Sequence, residues 1–146
     1  MSARERFVGA WRLVAVRDLL AGGSSAPSRF GVAPRGLIVY TADGFVSVNF
    51  MRPGRAPWND EEGPAPDVAS ASALGYGAYA GRWQLDEARG LVRHHVEVAL
   101  IPDRVGTTLV RAYVLAGDRL TLRPVAPAGA ALHPRALVWE RVRGAV

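Results

Sequence analysis

The sequence predicts an all-β protein, an eight-stranded antiparallel up-and-down barrel with a short N-terminal helical turn and a long loop over residues 52–75. Apolar and polar residues alternate with a period of two in eight segments, which is the pattern of half-buried strands. Short turn sequences separate several segments, so consecutive strands run antiparallel. Closure into a barrel removes exposed strand edges, although an open sandwich satisfies the same pattern.

The predicted strands share β-branched and aromatic residues and are GAWRLVAVRDLL (9–20), GLIVYTA (36–42), FVSVNFM (45–51), GAYAGRWQL (77–85), LVRHHVEVAL (91–100), TTLVRAYVL (107–115), RLTLRPV (119–125) and ALVWERV (136–142). A barrel of eight strands either holds one small ligand or fills itself with side chains. No linker or internal repeat divides the chain, so we expect a single domain over residues 1–146.

Composition excludes several classes of chemistry. The chain has no cysteine, so it forms no disulfide, thiolate nucleophile or zinc knuckle. It has no lysine, which excludes a lysine Schiff base and a P-loop. No apolar run has the length of a signal peptide or a membrane span. We therefore expect a cytoplasmic protein that has no membrane partner.

The positive charge does not indicate nucleic-acid binding. The formal net charge is +5, and every basic residue is an arginine. These arginines are scattered singly, whereas nucleic-acid footprints cluster on one face. We interpret them as a solvated surface and expect no nucleic-acid partner.

The ends of the predicted barrel follow from the first and last strands. Residues 2–10 are interpreted as a helical turn that caps one end. If the first and last strands pair, Arg12 and Glu140 meet on the outside. Trp11 and Arg141 then stack inside as a structural cation–π plug, with Trp139 on the same inner face.

The sequence does not decide which face of the second and third strands points inward, because neither face is strongly polar. A turn at Asp43-Gly44 places Leu37 with Val46 on one face and Tyr40 with Ser47 on the other. Either face could line a cavity while the other contacts a partner subunit in a homodimer. We favour the second face as ligand-binding, with Tyr40, Ser47, Asn49 and Met51 inside.

Two adjacent histidines in the fifth strand must face opposite ways. A loop over residues 87–90 pairs Trp83 with His94, and the face that they share is almost wholly apolar. His94 therefore points inward and His95 points to solvent. Other inward residues of this hairpin are Tyr79, Gly81, Leu85, Val92, Val96 and Val98.

The sixth and seventh strands bring a charge to the inner face. A turn at Gly117-Asp118 aligns Tyr113 with Leu122, and Arg111 shares their face. Burying a guanidinium is costly unless it has a partner. The opposite assignment stays open, because Val110 is apolar as well.

Two side chains carry the candidate chemistry. His94 is either a core histidine satisfied by a neighbour, or a ligand contact and general acid or base near neutral pH. Arg111 is either bound to backbone or aromatic groups, or an anchor for a carboxylate, enolate or polarised carbonyl. We predict His94, Arg111 and Tyr79 as catalytic residues. No metal site is expected, since adjacent histidines on one strand diverge and His133 lies on a proline-flanked loop.

Several segments together resemble a known family. Gly9-Ala10-Trp11 with the late Arg141 is similar to the lipocalin pattern, in which a G-x-W tryptophan packs under an arginine at the closed end. FVGAWRLVAV, PRGLIVYTADGFVSVNFMRPGR, YAGRWQLDE and the order of later segments resemble bacterial and fungal lipocalin-like domain proteins over most of the chain except residues 58–74. The resemblance implies the barrel but no specific activity. Some small barrels of similar architecture are cofactor-independent cyclases of polyketide pathways, including Diels–Alder-type ring closures.

Three functional hypotheses follow. The first is a cofactor-independent cyclase or isomerase that acts on an apolar oxygenated metabolite such as a polyketide intermediate of secondary metabolism. The second is a carrier or sensor of a similar ligand, and the third is a filled barrel that serves as an interaction module. The predicted ligand-binding residues are Tyr40, Ser47, Asn49, Met51, Tyr76, Trp83, Val96, Tyr113 and Trp139.

Overall fold

Eight antiparallel strands close into one barrel in the order of the sequence. The structure is a computed structural model, and it describes residues 1–18, 30–59, 62–125 and 135–144. Its elements are α1 (Ala3–Phe7), β1 (Gly9–Asp18), β2 (Arg35–Tyr40), β3 (Phe45–Met51), α2 (Pro66–Leu74), β4 (Tyr76–Asp86), β5 (Leu91–Ala99), a 3₁₀ helix (Pro102–Arg104), β6 (Thr108–Ala116), β7 (Arg119–Pro124) and β8 (Arg135–Arg141). The predicted barrel is confirmed.

The two ends of the barrel differ in their connections. The short turns over residues 41–44, 87–90 and 117–118 lie at one end together with α1, and we call it the turn end. The long connections, including residues 52–75 with α2, lie at the other, which we call the loop end. The backbone of Arg52 donates to the Gly75 carbonyl at 2.7 Å, and the Trp58 indole donates to Ser72 at 3.0 Å. The first bond joins the two ends of the long loop, and the second joins its middle to α2.

Helix α1 closes the turn end. Ser2 and Glu5 form a reciprocal capping box that starts this short helix. Its last residue, Phe7, is fully buried, and the ring packs against Tyr40 and Tyr113 at centroid distances of 5.3 and 4.9 Å. The apolar side chain thereby fills the barrel at this end.

Arg141 holds α1 in place. Its guanidinium lies 4.3 Å from the ring centre of Trp11 and donates to the backbone oxygens of Val8, at 2.9 Å, and Arg6. The Trp11 indole donates to the Phe7 carbonyl at 2.9 Å. The stacked pair therefore satisfies backbone oxygens at the end of α1 that would otherwise lack partners.

The predicted register of β2 and β3 is wrong by one residue. Tyr40 pairs with Val46, because the turn places three residues between Thr41 and Phe45 instead of two after Ala42. Gly44 adopts a φ of +100°, which suits the last position of such a turn. A slip of one residue exchanges the two faces of a strand.

This one-residue difference in register changes which residues of β3 face the interior. Val46 and Val48 are buried inside, whereas Ser47, Asn49 and Met51 lie on the outer face of β3. The prediction that these three residues line the lumen is therefore wrong. Tyr76 opposes Met51 on the same outer face, and its hydroxyl donates to the Asn49 side chain at 2.9 Å.

The β4–β5 and β6–β7 hairpins have the predicted registers. Trp83 pairs with His94, and Tyr113 pairs with Leu122. One inward residue is wrong: a bulge opposite Ala80 and Gly81 leaves Val98 on the outside, 62% exposed. None of the helices in the described ranges is both long enough and apolar enough to cross a membrane.

Gly81 permits the bulge, because its backbone lies directly against β5. A Cβ at this position would be 1.8 Å from the His95 carbonyl oxygen. We expect Gly81→Ala to lower the free energy of unfolding by about 3 kcal/mol, the upper end for overpacking. Urea unfolding monitored by circular dichroism measures the change. Gly144→Ala is the matched control, since no atom lies near its added Cβ; an equal, small effect of both substitutions would contradict the prediction.

Candidate functional site

A buried histidine is held between two tyrosines in the barrel interior. His94 is 1% exposed, and both of its ring nitrogens are hydrogen-bonded. Nε2 lies 2.9 Å from the Tyr40 hydroxyl, and Nδ1 lies 2.7 Å from the Tyr79 hydroxyl. The three side chains come from β2, β4 and β5, so the network joins strands that are far apart in the sequence.

Burial keeps this histidine neutral. Desolvation, followed by the nearby charges of Arg111 and His95, lowers the pKa of His94 from 6.5 to about 3. A neutral imidazole has one N–H, so one tyrosine donates to His94 and the other accepts from it. When Tyr40 donates to Nε2, the Nδ1–H group donates to the Tyr79 oxygen, and the Tyr79 proton is free for another acceptor.

Arg111 extends the network toward the lumen. Its strand pairs with β5 so that Arg111 lies opposite Val92 and on the same face as His94. Burial raises the pKa of Tyr79, and Arg111 opposes this by its charge and by a hydrogen bond. The guanidinium also donates to the Val110 carbonyl at 3.2 Å. Arg111 is only partly buried, in contrast to His94.

The two tyrosines differ in their surroundings. Burial, followed by the charge of Tyr79, raises the pKa of Tyr40 well above its ordinary value, while Arg111 lowers it. Tyr40 is 1% exposed and Tyr79 is 9% exposed. Both remain protonated near neutral pH, so they act as hydrogen-bond donors. Of the two, Tyr79 is the one that the Arg111 guanidinium contacts.

The other predicted interior residues divide between the two ends of the barrel. Trp83 and Tyr113 pack on Phe7 at the turn end, and the Trp83 indole donates to the Thr41 carbonyl at 3.1 Å. Val96 is 4% exposed on the face of His94. Trp139 is fully buried, and its indole nitrogen has no hydrogen-bond partner among the described residues. That nitrogen is a buried donor of a kind that proteins normally pair.

Sequence reasoning missed two features of this site. It placed Tyr40 inside but did not join it to His94, because cross-barrel contacts between β2 and β5 have no signal in local periodicity. It also missed that Phe7 fills the turn end. The signal for Phe7 was present, since the S-x-x-E capping box at Ser2 fixes where α1 begins and hence where its last residue lies.

A pocket of about 560 Å³ lies where β1 and β2 separate. It reaches inner-face residues such as Leu13 and Phe50, and its volume is within the range of small-molecule sites. Its lining residues are Arg12, Leu13, Arg35, Gly36, Leu37, Asn49, Phe50, Met51 and Tyr76. Asn49 and Met51, which we expected on the inner face, thus line this pocket from the outer face, and Tyr76, which we predicted to bind ligand, lies beside them. Within the described ranges, no three potential metal ligands lie together.

His94 is expected to make the stability depend on pH. Its pKa is depressed in the folded protein, so its contribution is complete above pH 6.5 and is lost as the pH falls toward about 3. The free energy of unfolding should decrease by up to about 1.4 kcal/mol per pH unit in this window. Urea unfolding between about pH 7 and about pH 5 measures the slope. His94→Gln should flatten the slope and His95→Gln should not; equal slopes for all three proteins would contradict the assignment.

Comparisons with known proteins give the family. The lipocalin-like domain matches residues 8–142. Two solved structures are similar at 10% identity: an uncharacterized protein from Bacteroides eggerthii (TM-score 0.46, covering 93% of this chain and 99% of that one) and fatty-acid-binding protein 1 of Echinococcus granulosus (TM-score 0.41, covering 95% and 99%). No curated protein matches the chain in sequence. Because the matched domain spans all eight strands described above, the chain belongs to the lipocalin-like domain family.

Proposed function

We propose that the barrel binds an apolar, oxygenated small molecule and converts it by ring closure or isomerisation without a cofactor. The observation that carries this proposal is the buried Tyr40–His94–Tyr79 network that ends on Arg111 inside an apolar barrel. Ligand sites typically combine apolar walls with a few convergent polar groups, and this interior has that composition. The fold of the family is consistent with a hydrophobic ligand.

Tyr79 and Arg111 are the proposed catalytic residues. Both would donate hydrogen bonds to one carbonyl oxygen of the substrate, which draws electron density from a conjugated alkene. In a Diels–Alder closure a diene then adds to that alkene, so two C–C σ bonds replace two π bonds and the mass stays the same. Holding the two reacting ends together supplies about 7–11 kcal/mol, and polarising the carbonyl adds to it.

His94 acts in this proposal as a positioning residue. Both of its nitrogens are occupied, and it does not reach open space. In the tautomer with a proton on Nδ1 it donates to Tyr79 and thereby directs the Tyr79 proton toward the lumen. Tyr40 fixes that tautomer by donating to Nε2.

The surroundings of the site suit a linear polyketide-like intermediate. Such a molecule has an apolar chain for the barrel wall and carbonyl oxygens for the two donors. A carrier or sensor needs the same contacts without turnover. The raised pKa values of both tyrosines favour hydrogen-bond donation over proton abstraction, which either function can use. The homodimer stays a prediction; Val98 and Val114, exposed by 62% and 63%, are apolar groups on the outer face.

Removing either donor should weaken the binding of a carbonyl probe selectively. We expect Tyr79→Phe and Arg111→Met each to reduce the affinity for chalcone, an apolar conjugated ketone, about tenfold. Stilbene has the two rings without the carbonyl, so its affinity should change little. Fluorescence titration gives both constants, and Arg82→Met on the exposed outer face of β4 is the control matched to Arg111→Met. Equal losses for the two probes, or no loss, would refute the role of the donors.

Turnover separates the enzyme from the carrier. Linear precursors that contain a diene and a carbonyl-activated alkene are incubated with the protein and followed by chromatography and mass spectrometry. An isomer of unchanged mass that forms faster with the wild type than with Tyr79→Phe supports the cyclase. Tight binding of these precursors with no acceleration assigns the protein as a carrier.

A further inference from the structure

The wall of the barrel separates between β1 and β2 toward the loop end. β1 pairs with β2 only from Gly9 to Arg12, whereas it continues beside β8 as far as Asp18. β2 begins at Arg35, so the two strands part beyond the Arg12 position. The pocket of about 560 Å³ lies at this separation.

The lining of the pocket changes from polar to apolar across the wall. Leu13, Gly36 and Phe50 belong to the inner face, and the Phe50 ring packs on Trp139 at 5.5 Å. Gly36 leaves room for two aromatic rings, because a Cβ there would lie 3.1 Å from the Phe50 ring and 3.2 Å from the Trp139 ring. A molecule at this opening therefore meets apolar side chains as soon as it passes the outer rim.

The outer rim carries two arginines. Arg12 and Arg35 lie on the outer face. Arg12 is opposite Leu37 at the last position where β1 pairs with β2, and Arg35 is the first residue of β2, so the two arginines flank the separation from opposite sides. The lining includes no acidic residue, and in the described part of the chain neither arginine takes part in an ion pair or side-chain hydrogen bond.

One acidic residue lies across the strands from this rim. Glu140 is opposite Arg12 in the β1–β8 register, but its ion pair, at 4.0 Å, is with Arg119 and not with Arg12. Arg12 and Arg35 thus present a positive rim to an apolar interior. A molecule that suits both features has an apolar chain and an anionic group at one end.

We propose that the opening between β1 and β2 is the entrance of the barrel, and that Arg12 and Arg35 hold the carboxylate of an amphiphile whose apolar chain passes over Leu13 and Phe50. The inference rests on the proposed function, since it names the substrate class of the same barrel. The substrate would be a carboxylic acid with a long apolar chain and a carbonyl farther along it. The carboxylate stays at the rim, where it remains hydrated, while the chain enters.

Two probes of equal chain length test the role of the charge. Nile red, an uncharged dye that fluoresces in apolar surroundings, reports occupancy of the barrel, and decanoate and decanol compete with it. We expect decanoate to displace the dye at a concentration about tenfold lower than decanol. This advantage should shrink as salt is added, because the rim is exposed to solvent.

Arginine substitutions test whether Arg12 and Arg35 cause the preference for decanoate. Arg12→Gln/Arg35→Gln should bring the two competitors to equal strength, while the matched double variant Arg82→Gln/Arg89→Gln, away from the rim, should keep the difference. Thermal unfolding by circular dichroism verifies that each variant is folded. If Arg35→Glu alone makes decanol the stronger competitor, the anion site at the rim is supported again.

The remaining outcomes overturn one idea or both. Dye binding with no preference for decanoate, or a preference that survives Arg12→Gln/Arg35→Gln, rejects the rim site and leaves the proposed function standing. A preference that is lost only in Arg111→Met places the carboxylate inside the barrel and likewise rejects the rim. Absence of any displaceable dye binding rejects the binding function and the inference together.

Discussion

His94 brings two polar nitrogens into an apolar interior, and both need hydrogen-bond partners that water does not supply there. Tyr40 and Tyr79 provide them at 2.9 and 2.7 Å from opposite sides of the ring. Leaving one nitrogen unpaired would cost about 1–3 kcal/mol, so the three strands that carry these residues must keep their relative positions. The face of β2, the register of β4 against β5 and the position of Arg111 are all consistent with this one requirement.

Side chains fill the interior at the turn end. There Phe7 packs against tyrosine rings, and Arg141 holds α1 against the barrel. His94 has both ring nitrogens hydrogen-bonded, and Arg111 is partly buried on the same inner face. In the proposed function a ligand would contact Tyr79, whose orientation is set by His94 and Tyr40, which the ligand would not touch.

Sequence reasoning predicted the strands and the orientation of most of their faces, because alternation of apolar and charged residues is a local signal. It correctly predicted that His94, Arg111 and the stacked Trp11–Arg141 pair lie on the inner face. It failed at β2 and β3, where both faces are apolar and the turn length alone decides between them. It also failed at Val98, since a bulge depends on the close approach of Gly81 to the neighbouring backbone. The pairing of Tyr40 with His94 required the closed barrel itself.

The unequal ends of the barrel have a consequence for how this protein could be re-engineered. The turn end contains the helix plug and tight hairpins, so changes there disturb packing throughout the barrel. Residues 52–59 and 62–75 follow β3 at the opposite end, outside the ladder of paired strands. If the barrel binds a ligand as proposed, randomised libraries confined to this loop could change its selectivity while the paired strands keep their sequence, which makes the loop end the natural starting point for directed evolution.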